Sequence, residues 1–209
     1  VEKRRGGKFT EYYVRGTFTK NNLDFAQDVY HIADDLGFDQ LSVEPVIADE
    51  SEPYALTEAD LPKIYEEYEK LAVEMIRRKK EEGGCFNFFH FMINLDQGPC
   101  AIKRLRGCGC GNEYVSVTPD GDIYPCHQFV GHDEWKMGNI EDGTLDTSIK
   151  DKFGCSNVYT KEGCKDCWCK FYCSGGCNAN NYSFNKNIDK PVKLSCDIER
   201  KRVECAVMI

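Results

Sequence analysis

Residues 164–177 of the chain are Cys164-Lys-Asp-Cys167-Trp-Cys169-Lys-Phe-Tyr-Cys173-Ser-Gly-Gly-Cys177. Four of these cysteines follow the spacing C-x2-C-x5-C-x3-C, and Cys169 lies inside the longest gap. Short spacings of this kind let the backbone curl around a metal, and soft thiolate ligands select iron–sulfur clusters, zinc or copper(I). The two glycines before Cys177 let the backbone pass close to the metal because they carry no Cβ atom. The segment therefore predicts a metal site.

Composition narrows the class of protein. The chain has 209 residues, 13 of them cysteine, and a formal charge of −8. An odd number of cysteines without a secretory signal favours metal ligands in a reducing cytoplasm over disulfides. The acidic charge argues against nucleic acid as a partner, and no apolar run approaches the roughly 20 residues of a membrane span. We expect a cytoplasmic protein with no membrane partner and, because it starts at Val1 without Met, a piece of a longer one.

The first part of the sequence predicts a βαβ unit. Residues 12–18 alternate weakly and favour a strand, and residues 23–36 keep helical spacing after a cap at Asn21 or Asn22. Residues 40–47 are mostly apolar and favour a second strand. A strand, a helix and a strand joined by short loops imply a parallel sheet.

A longer amphipathic helix is predicted to follow this unit. Thr57 and Asp60 form a variant capping box at its start, and a basic run at residues 77–80 suits its C-terminal dipole. Residues 85–95 are rich in Phe and include His90, which we interpret as a core histidine rather than a ligand.

Two charged residues lie among apolar neighbours on the predicted strands. Arg15 is on the first strand and Glu44 on the second. In one interpretation, each is solvated at a strand end. In the other, both face a ligand at the carboxyl edge of the sheet, where open α/β sheets bind their ligands.

The composition changes near residue 106, which predicts two domains, 1–105 and 106–209. The loop Gly107-Cys108-Gly109-Cys110-Gly111 carries two thiols. Residues 114–117 and 123–124 flank a Pro- and Gly-containing turn and predict a β-hairpin. The hairpin would bring Cys108 or Cys110 close to Cys126, which supports a shared metal. The last segment, from residue 197 to 208, has helical character.

The cysteine pattern as a whole resembles a known family. The pattern is Cys108-x12-Gly121-x4-Cys126, then Cys164-x2-Cys167-x5-Cys173-x3-Cys177, then Cys196. It resembles the seven-cysteine SPASM domain, the C-terminal extension of radical S-adenosylmethionine (SAM) peptide and protein maturases. The resemblance covers about residues 106–200, and residues 9–50 resemble the last βα units of the partial barrel in those enzymes. It implies an α/β protein: C-terminal βα units of a partial (β/α) barrel, then a small cysteine-rich SPASM domain with a β-hairpin and short helices.

Three short sequence segments favour one branch of that family. They are Cys-Gly-Cys-Gly-Asn-Glu-Tyr-Val at 108–115, Tyr-Pro-Cys-His-Gln-Phe-Val-Gly at 124–131 and Phe-Tyr-Cys-Ser-Gly-Gly-Cys-Asn-Ala-Asn at 171–180. They most resemble clostridial maturases of "six cysteines in forty-five" (SCIFF) peptides, which install Cys-to-Thr thioether bonds. The resemblance thus implies a cysteine-rich precursor peptide as substrate and an electron donor such as ferredoxin or flavodoxin.

The resemblance also implies two auxiliary [4Fe–4S] clusters in this chain. By position, the first takes Cys126 and Cys177 with Cys108, Cys110 or both. The second takes Cys164, Cys167, Cys173 and Cys196. A third [4Fe–4S] cluster and SAM are implied for the full-length enzyme, with Arg15 and Glu44 on the SAM side. The other five cysteines, which we expect to act as small buried hydrophobes, are Cys85, Cys100, Cys155, Cys169 and Cys205.

Two departures from the family pattern limit the interpretation. The SAM-cleaving C-x3-C-x2-C run is absent from this sequence, so we expect the chain to be inactive alone. Sulfatase maturases carry an Asp, acting as a base, after the cysteine equivalent to Cys126, whereas this chain has His127. The alternatives are a SPASM maturase of another modification, such as dehydrogenation, and a non-catalytic iron–sulfur electron-transfer or structural zinc module. The sequence assigns no catalytic residue.

Overall fold

The computed structural model describes residues 13–96 and 98–209, which form two compact units. The first unit contains residues 13–96 and 197–209, and the second contains residues 98–196. This division differs from the boundary predicted after residue 105, and it also returns the last helix to the first unit. The return has a physical reason: Val203 and Cys205 are buried, and Lys201 forms an ion pair with Glu69 of the first unit.

A three-stranded parallel sheet organises the first unit. Strand β1 (Val14–Phe18) pairs with β2 (Gln40–Pro45), and β2 pairs with β3 (Asn87–Phe88). The two predicted strands and their parallel pairing are confirmed, although Tyr12 lies outside the described residues. Strand β3 was not predicted, because two residues are too few to show an alternating pattern.

Two helices cover the sheet residues. Helix α1 (Phe25–Tyr30) continues as a wider π-helical turn over His31–Asp35, so the regular helix is shorter than predicted. Asn22 does not cap it; its side chain accepts a hydrogen bond from the Thr19 amide at 2.8 Å. Phe25 is buried and stacks on Phe18, with ring centroids 4.3 Å apart.

Helix α2 (Leu61–Glu81) begins as the sequence predicts. A 3-10 turn over Glu58–Asp60 precedes it, and the Thr57 amide and hydroxyl donate to Asp60 Oδ2 at 2.8 and 2.9 Å. This capping box satisfies backbone donors that the first turn would otherwise leave open. Tyr68, on the buried face, packs its ring 4.9 Å from that of Phe25.

The second unit consists of short elements around a small antiparallel sheet. Its strands, in sheet order, are β4 (Ser116–Val117), β5 (Asp122–Tyr124), β6 (Gly138–Asn139) and β7 (Thr144–Leu145). Its helices are α3 (Ala101–Arg104), α4 (Thr147–Cys155), α5 (Lys170–Cys173) and α6 (Asn178–Asn185). The predicted hairpin is confirmed, with Ser116 opposite Tyr124. The last helix, α7 (Lys193–Met208), starts four residues before the predicted helical segment at 197.

None of the helices in residues 13–96 and 98–209 has both the length and the apolar character that a membrane crossing requires.

Glu67 joins α1 to α2 through a buried carboxylate. Its side chain is 2% exposed; Oε2 accepts from the Ala26 amide at 3.2 Å, and Oε1 lies 3.0 Å from Lys63 Nζ and 2.8 Å from Lys70 Nζ. Burial acts to raise the pKa of Glu67, but hydrogen bonds from Lys70, Lys63 and the Ala26 amide outweigh it and lower the pKa. The carboxylate is therefore charged and paired in the folded unit.

We expect Glu67→Ala to lower the free energy of unfolding by about 3 kcal/mol, because it leaves the Ala26 amide without its acceptor. Urea unfolding followed by far-UV circular dichroism measures the change. Glu66→Ala is the matched control: Glu66 pairs with the same two lysines but is 52% exposed, so its loss is much smaller. Equal losses in the two variants would contradict this role for Glu67.

Candidate metal centre

The loop with the first two thiols is tied directly to the hairpin. The Gly111 amide hydrogen bonds to the carbonyls of Tyr114 and Pro125, each at 2.9 Å. Pro125 immediately precedes Cys126, so the Gly111 amide fixes Cys110 beside Cys126. Gly111 has φ +71°, and a Cβ atom there would lie 2.7 Å from Phe153 Cγ, which is why only glycine suits the position.

Three thiols of the first predicted set are in contact. A hydrogen bond with Cys110 lowers the pKa of Cys108 to about 5 and the pKa of Cys126 to about 6, while the same bonds raise the pKa of Cys110. The three thiols therefore form one hydrogen-bonded group. Tyr114 Oη donates to Cys108 Sγ at 3.6 Å, and Asn178 Nδ2 donates to Cys110 Sγ at 3.6 Å.

The fourth member of this set packs on the same core. Cys177 is half-buried and packs against the hydrophobic cluster that includes Cys110 and Cys126. The base of the cluster is aromatic: the ring of Phe129 lies 5.4 Å from that of Phe153 and 5.3 Å from that of Trp135. Cys108, by contrast, is exposed. The structure therefore brings Cys108, Cys110 and Cys126 together and places Cys177 against the hydrophobic cluster that includes two of them, with Cys108 on the solvent side.

The first two thiols of the second predicted set lie on consecutive turns, and the other two lie in helices. The Cys164 amide donates to the Lys161 carbonyl at 3.2 Å, and the Cys167 amide donates to the Cys164 carbonyl at 3.1 Å. Cys173 ends α5, and Cys196 lies in the first turn of α7, where its amide donates to the Val192 carbonyl at 3.0 Å. Cys164 is buried, and the other three are partly buried.

Cysteines outside the two sets differ from one another. Cys205 is fully buried, as expected, and burial raises the pKa of its thiol to about 11. Cys100 and Cys155 are exposed, which corrects the expectation that they are buried; each lies at the edge of a short helix in the second unit. Cys169 is buried with its sulfur 3.6 Å from that of Cys167, so it lies beside a predicted ligand.

The donor chemistry of the two sets fits iron–sulfur clusters. Every predicted ligand is a thiol, and soft thiolate donors in sets of four suit [4Fe–4S] clusters. Within residues 13–96 and 98–209, no three His, Cys, Asp or Glu side chains are arranged to hold a single metal ion, and no disulfide is recorded.

Lys161 is a buried residue that sequence reasoning missed. It is 2% exposed, and its ammonium donates to the carbonyls of Gly175 and Gly176 and to Asn178 Oδ1. Burial lowers the pKa of Lys161, whereas the thiols of Cys164, Cys110 and Cys173, together with Asp189, act to raise it. No sequence signal marks this position, because lysines are ordinarily exposed.

Arg15 and Glu44, the residues predicted for the SAM side, lie on neighbouring strands of the first unit. Their charged groups are 3.9 Å apart, and the Arg15 side chain is 72% exposed. Glu44 also lies 3.4 Å from His90 Nε2 and 3.3 Å from Arg202 Nη1. Burial, with the charges of Arg202 and Arg15, lowers the pKa of His90 to about 3, so His90 is neutral and buried, as predicted.

Comparison with known proteins identifies part of the second unit. Residues 108–168 match the family model SPASM, an iron–sulfur cluster-binding domain. This segment of the chain is similar to SPASM domains. The matched segment includes Cys108, Cys110, Cys126, Cys164 and Cys167.

Sequence relatives of the chain include anaerobic sulfatase-maturating enzymes. It is 36% identical over 85 residues to a cysteine-type anaerobic sulfatase-maturating enzyme of Clostridium perfringens (strain 13 / Type A). It is 33% identical over 84 residues to the enzyme of the same name from a second strain. Each alignment covers 36% of this chain and 22% of the relative, so the chain matches about a fifth of those proteins. The alignments show homology to this enzyme family.

Solved structures of such an enzyme have a similar fold. Native anSMEcpe with bound AdoMet superposes with a TM-score of 0.68 and 21% identity, over 95% of this chain and 55% of that one. Native anSMEcpe with bound AdoMet and Kp18Cys peptide superposes with a TM-score of 0.62 and 22% identity, over 95% and 56%. The chain thus spans about half of these structures and shares their mixed α/β fold.

In the second unit, we expect Gly111→Ala to lower the free energy of unfolding by about 2 kcal/mol more than Gly131→Ala, because its Cβ atom meets the Phe153 ring. Gly131 is the matched control: its φ is +87°, yet a Cβ atom there meets nothing within 4 Å. Urea unfolding followed by tryptophan fluorescence measures both, since Trp135 packs 5.3 Å from the Phe153 ring. Equal destabilisation of the two variants would show that Phe153 does not constrain the loop.

Proposed function

We propose that the chain is the C-terminal portion of a radical SAM maturase that forms Cys-to-Thr thioether cross-links in a ribosomally made peptide. In this proposal it holds two auxiliary [4Fe–4S] clusters with the two sets of cysteines described above. The observation that carries the proposal is the gathering of Cys108, Cys110 and Cys126 on an aromatic core inside a SPASM domain. A zinc or electron-carrier module would not by itself account for homology to maturating enzymes.

The first set has an architecture that suits substrate binding. Cys110 and Cys126 are buried on the aromatic cluster, which excludes water, whereas Cys108 is exposed and accepts a hydrogen bond from Tyr114. When bound, an iron–sulfur cluster supplies iron that can take a thiolate and exchange electrons. We therefore assign Cys110, Cys126 and Cys177 as fixed ligands and Cys108 as the exchangeable one. A substrate cysteine would approach from the exposed side.

The remaining parts of the proposal concern the whole enzyme. Arg15 and Glu44 would face SAM at the carboxyl edge of the parallel sheet, with Arg202 and His90 holding the Glu44 carboxylate in place. The third cluster, SAM and the SAM-cleaving cysteines would come from the rest of the enzyme. The partners would be a cysteine-rich precursor peptide and a reductant such as ferredoxin or flavodoxin. The structures of anSMEcpe with Kp18Cys and Cp18Cys peptides support a peptide substrate.

A second candidate is maturation of a sulfatase cysteine, which the names of the sequence relatives favour. Against it stands His127, an exposed residue that follows Cys126 at the start of a short 3-10 turn. Imidazole can act as a base only when it is neutral. Sulfatase maturases instead carry a carboxylate directly after the cysteine equivalent to Cys126. A third candidate is peptide dehydrogenation by the same arrangement of cysteines.

Mass spectrometry of a cysteine-rich peptide separates these candidates. With the full-length enzyme, SAM and a reductant, we expect each cross-link to remove two hydrogen atoms, retain sulfur and protect one cysteine from alkylation. Cys110→Ser should abolish this change because it removes a fixed ligand, and Cys155→Ser, an exposed cysteine outside both sets, should not. A product that has lost sulfur would favour the sulfatase-type reaction. Loss of hydrogen with every cysteine still alkylated would favour dehydrogenation.

A further inference from the structure

Lys161 connects chain segments that carry ligands of both predicted cluster sites, and its ammonium is buried. The Lys161 amide donates to the Asn157 carbonyl at 2.9 Å, and the Lys161 carbonyl accepts from the Cys164 amide. Its backbone therefore begins the turn that carries Cys164, the first thiol of the second set. Its side chain extends away from that turn to the loop that ends at Cys177, a member of the first set.

The contacts of this ammonium are dipoles rather than charges. Nζ lies 2.9 Å from the Gly175 carbonyl oxygen, 3.4 Å from that of Gly176 and 2.6 Å from Asn178 Oδ1. None of these partners is a carboxylate, so the hydrogen bonds solvate the cation without neutralising it. The Lys161 stem also leaves no room for a side chain at position 175, because a Cβ atom on Gly175 would lie 2.8 Å from Lys161 Cδ.

The negative groups that act on Lys161 belong to both sets of thiols. Cys164 and Cys173 are assigned to the second cluster, and Cys110 is assigned to the first; Asp189 adds a carboxylate. Asn178 makes the link to the first set continuous, because it accepts from Lys161 and donates to Cys110 Sγ. A buried positive charge is thus placed among thiols that carry negative charge when they bind iron.

From this arrangement we propose that Lys161 is a positioning residue shared by both auxiliary clusters, and that its positive charge raises their reduction potentials. The proposal rests on the proposed function only in requiring that the chain binds the clusters. Its hydrogen bonds hold the carbonyls of Gly175 and Gly176, which lie between Cys173 and Cys177, and the side chain of Asn178. Because a reduced cluster carries one more negative charge than an oxidised one, a fixed cation nearby stabilises the reduced form.

The test is a redox titration of the anaerobically reconstituted chain, followed by EPR of the reduced clusters, with iron and sulfide measured on each sample. Lys161→Met removes the charge and the hydrogen bonds, whereas Lys161→Gln removes the charge but keeps a donor. Lys165→Met is the matched control, since Lys165 adjoins Cys164 but is exposed. In both Lys161 variants we expect the reduced-to-oxidised ratio at a fixed potential to fall about tenfold, equivalent to about 59 mV for a one-electron couple.

Each outcome decides the proposal. Lower potentials in both Lys161 variants with unchanged potentials in Lys165→Met support it. Unchanged potentials in an iron-loaded Lys161 variant, or an equal shift in Lys165→Met, overturn it. If both neutral variants lose their iron, Lys161→Arg decides: retained clusters support a requirement for charge, and lost clusters overturn it. Wild-type protein without two clusters would instead refute the cluster assignment, which is a separate failure.

Discussion

Mutual repulsion of thiolates is the constraint on which the second unit depends. Cys108, Cys110 and Cys126 lie in hydrogen-bonding contact, and all three cannot lose their protons there without a compensating positive charge. In the proposed clusters, iron would supply that charge and Lys161 would add a further one from the protein. The aromatic cluster behind Cys110 strengthens the requirement, because it keeps water away from the sulfur atoms of Cys110 and Cys126. The second unit consists of short elements and many turns, as expected of a fold that is stabilised by its metal site.

Local sequence signals predicted the local features of the fold. The capping box at Thr57 and Asp60 and the hairpin before Cys126 depend on residues close together in sequence, and the structure confirms both. The closeness of Cys110 to Cys126 follows from that hairpin. In each case a few neighbouring residues determine the hydrogen-bonding pattern, so spacing alone carries the information.

The sequence did not predict the features that depend on tertiary packing. The burial of Lys161 depends on carbonyls 14 and 15 positions further along the chain, and no residue type at those positions reveals it. The return of α7 to the first unit depends on Arg202 meeting Glu44, a pair separated by 158 positions. Strand β3 is short enough that only its pairing with β2 defines it. The ligand assignments remain predictions, since thiol spacing does not determine which cluster each sulfur serves.

Two clusters in the second unit are the central requirement of the proposed function. Iron and acid-labile sulfide analysis of the anaerobically reconstituted chain, combined with Mössbauer spectroscopy, tests this most directly. We predict two four-iron clusters per chain, because eight thiols form two sets of four. One cluster per chain, or tightly bound zinc in place of iron, would contradict the assignment of the two cysteine sets.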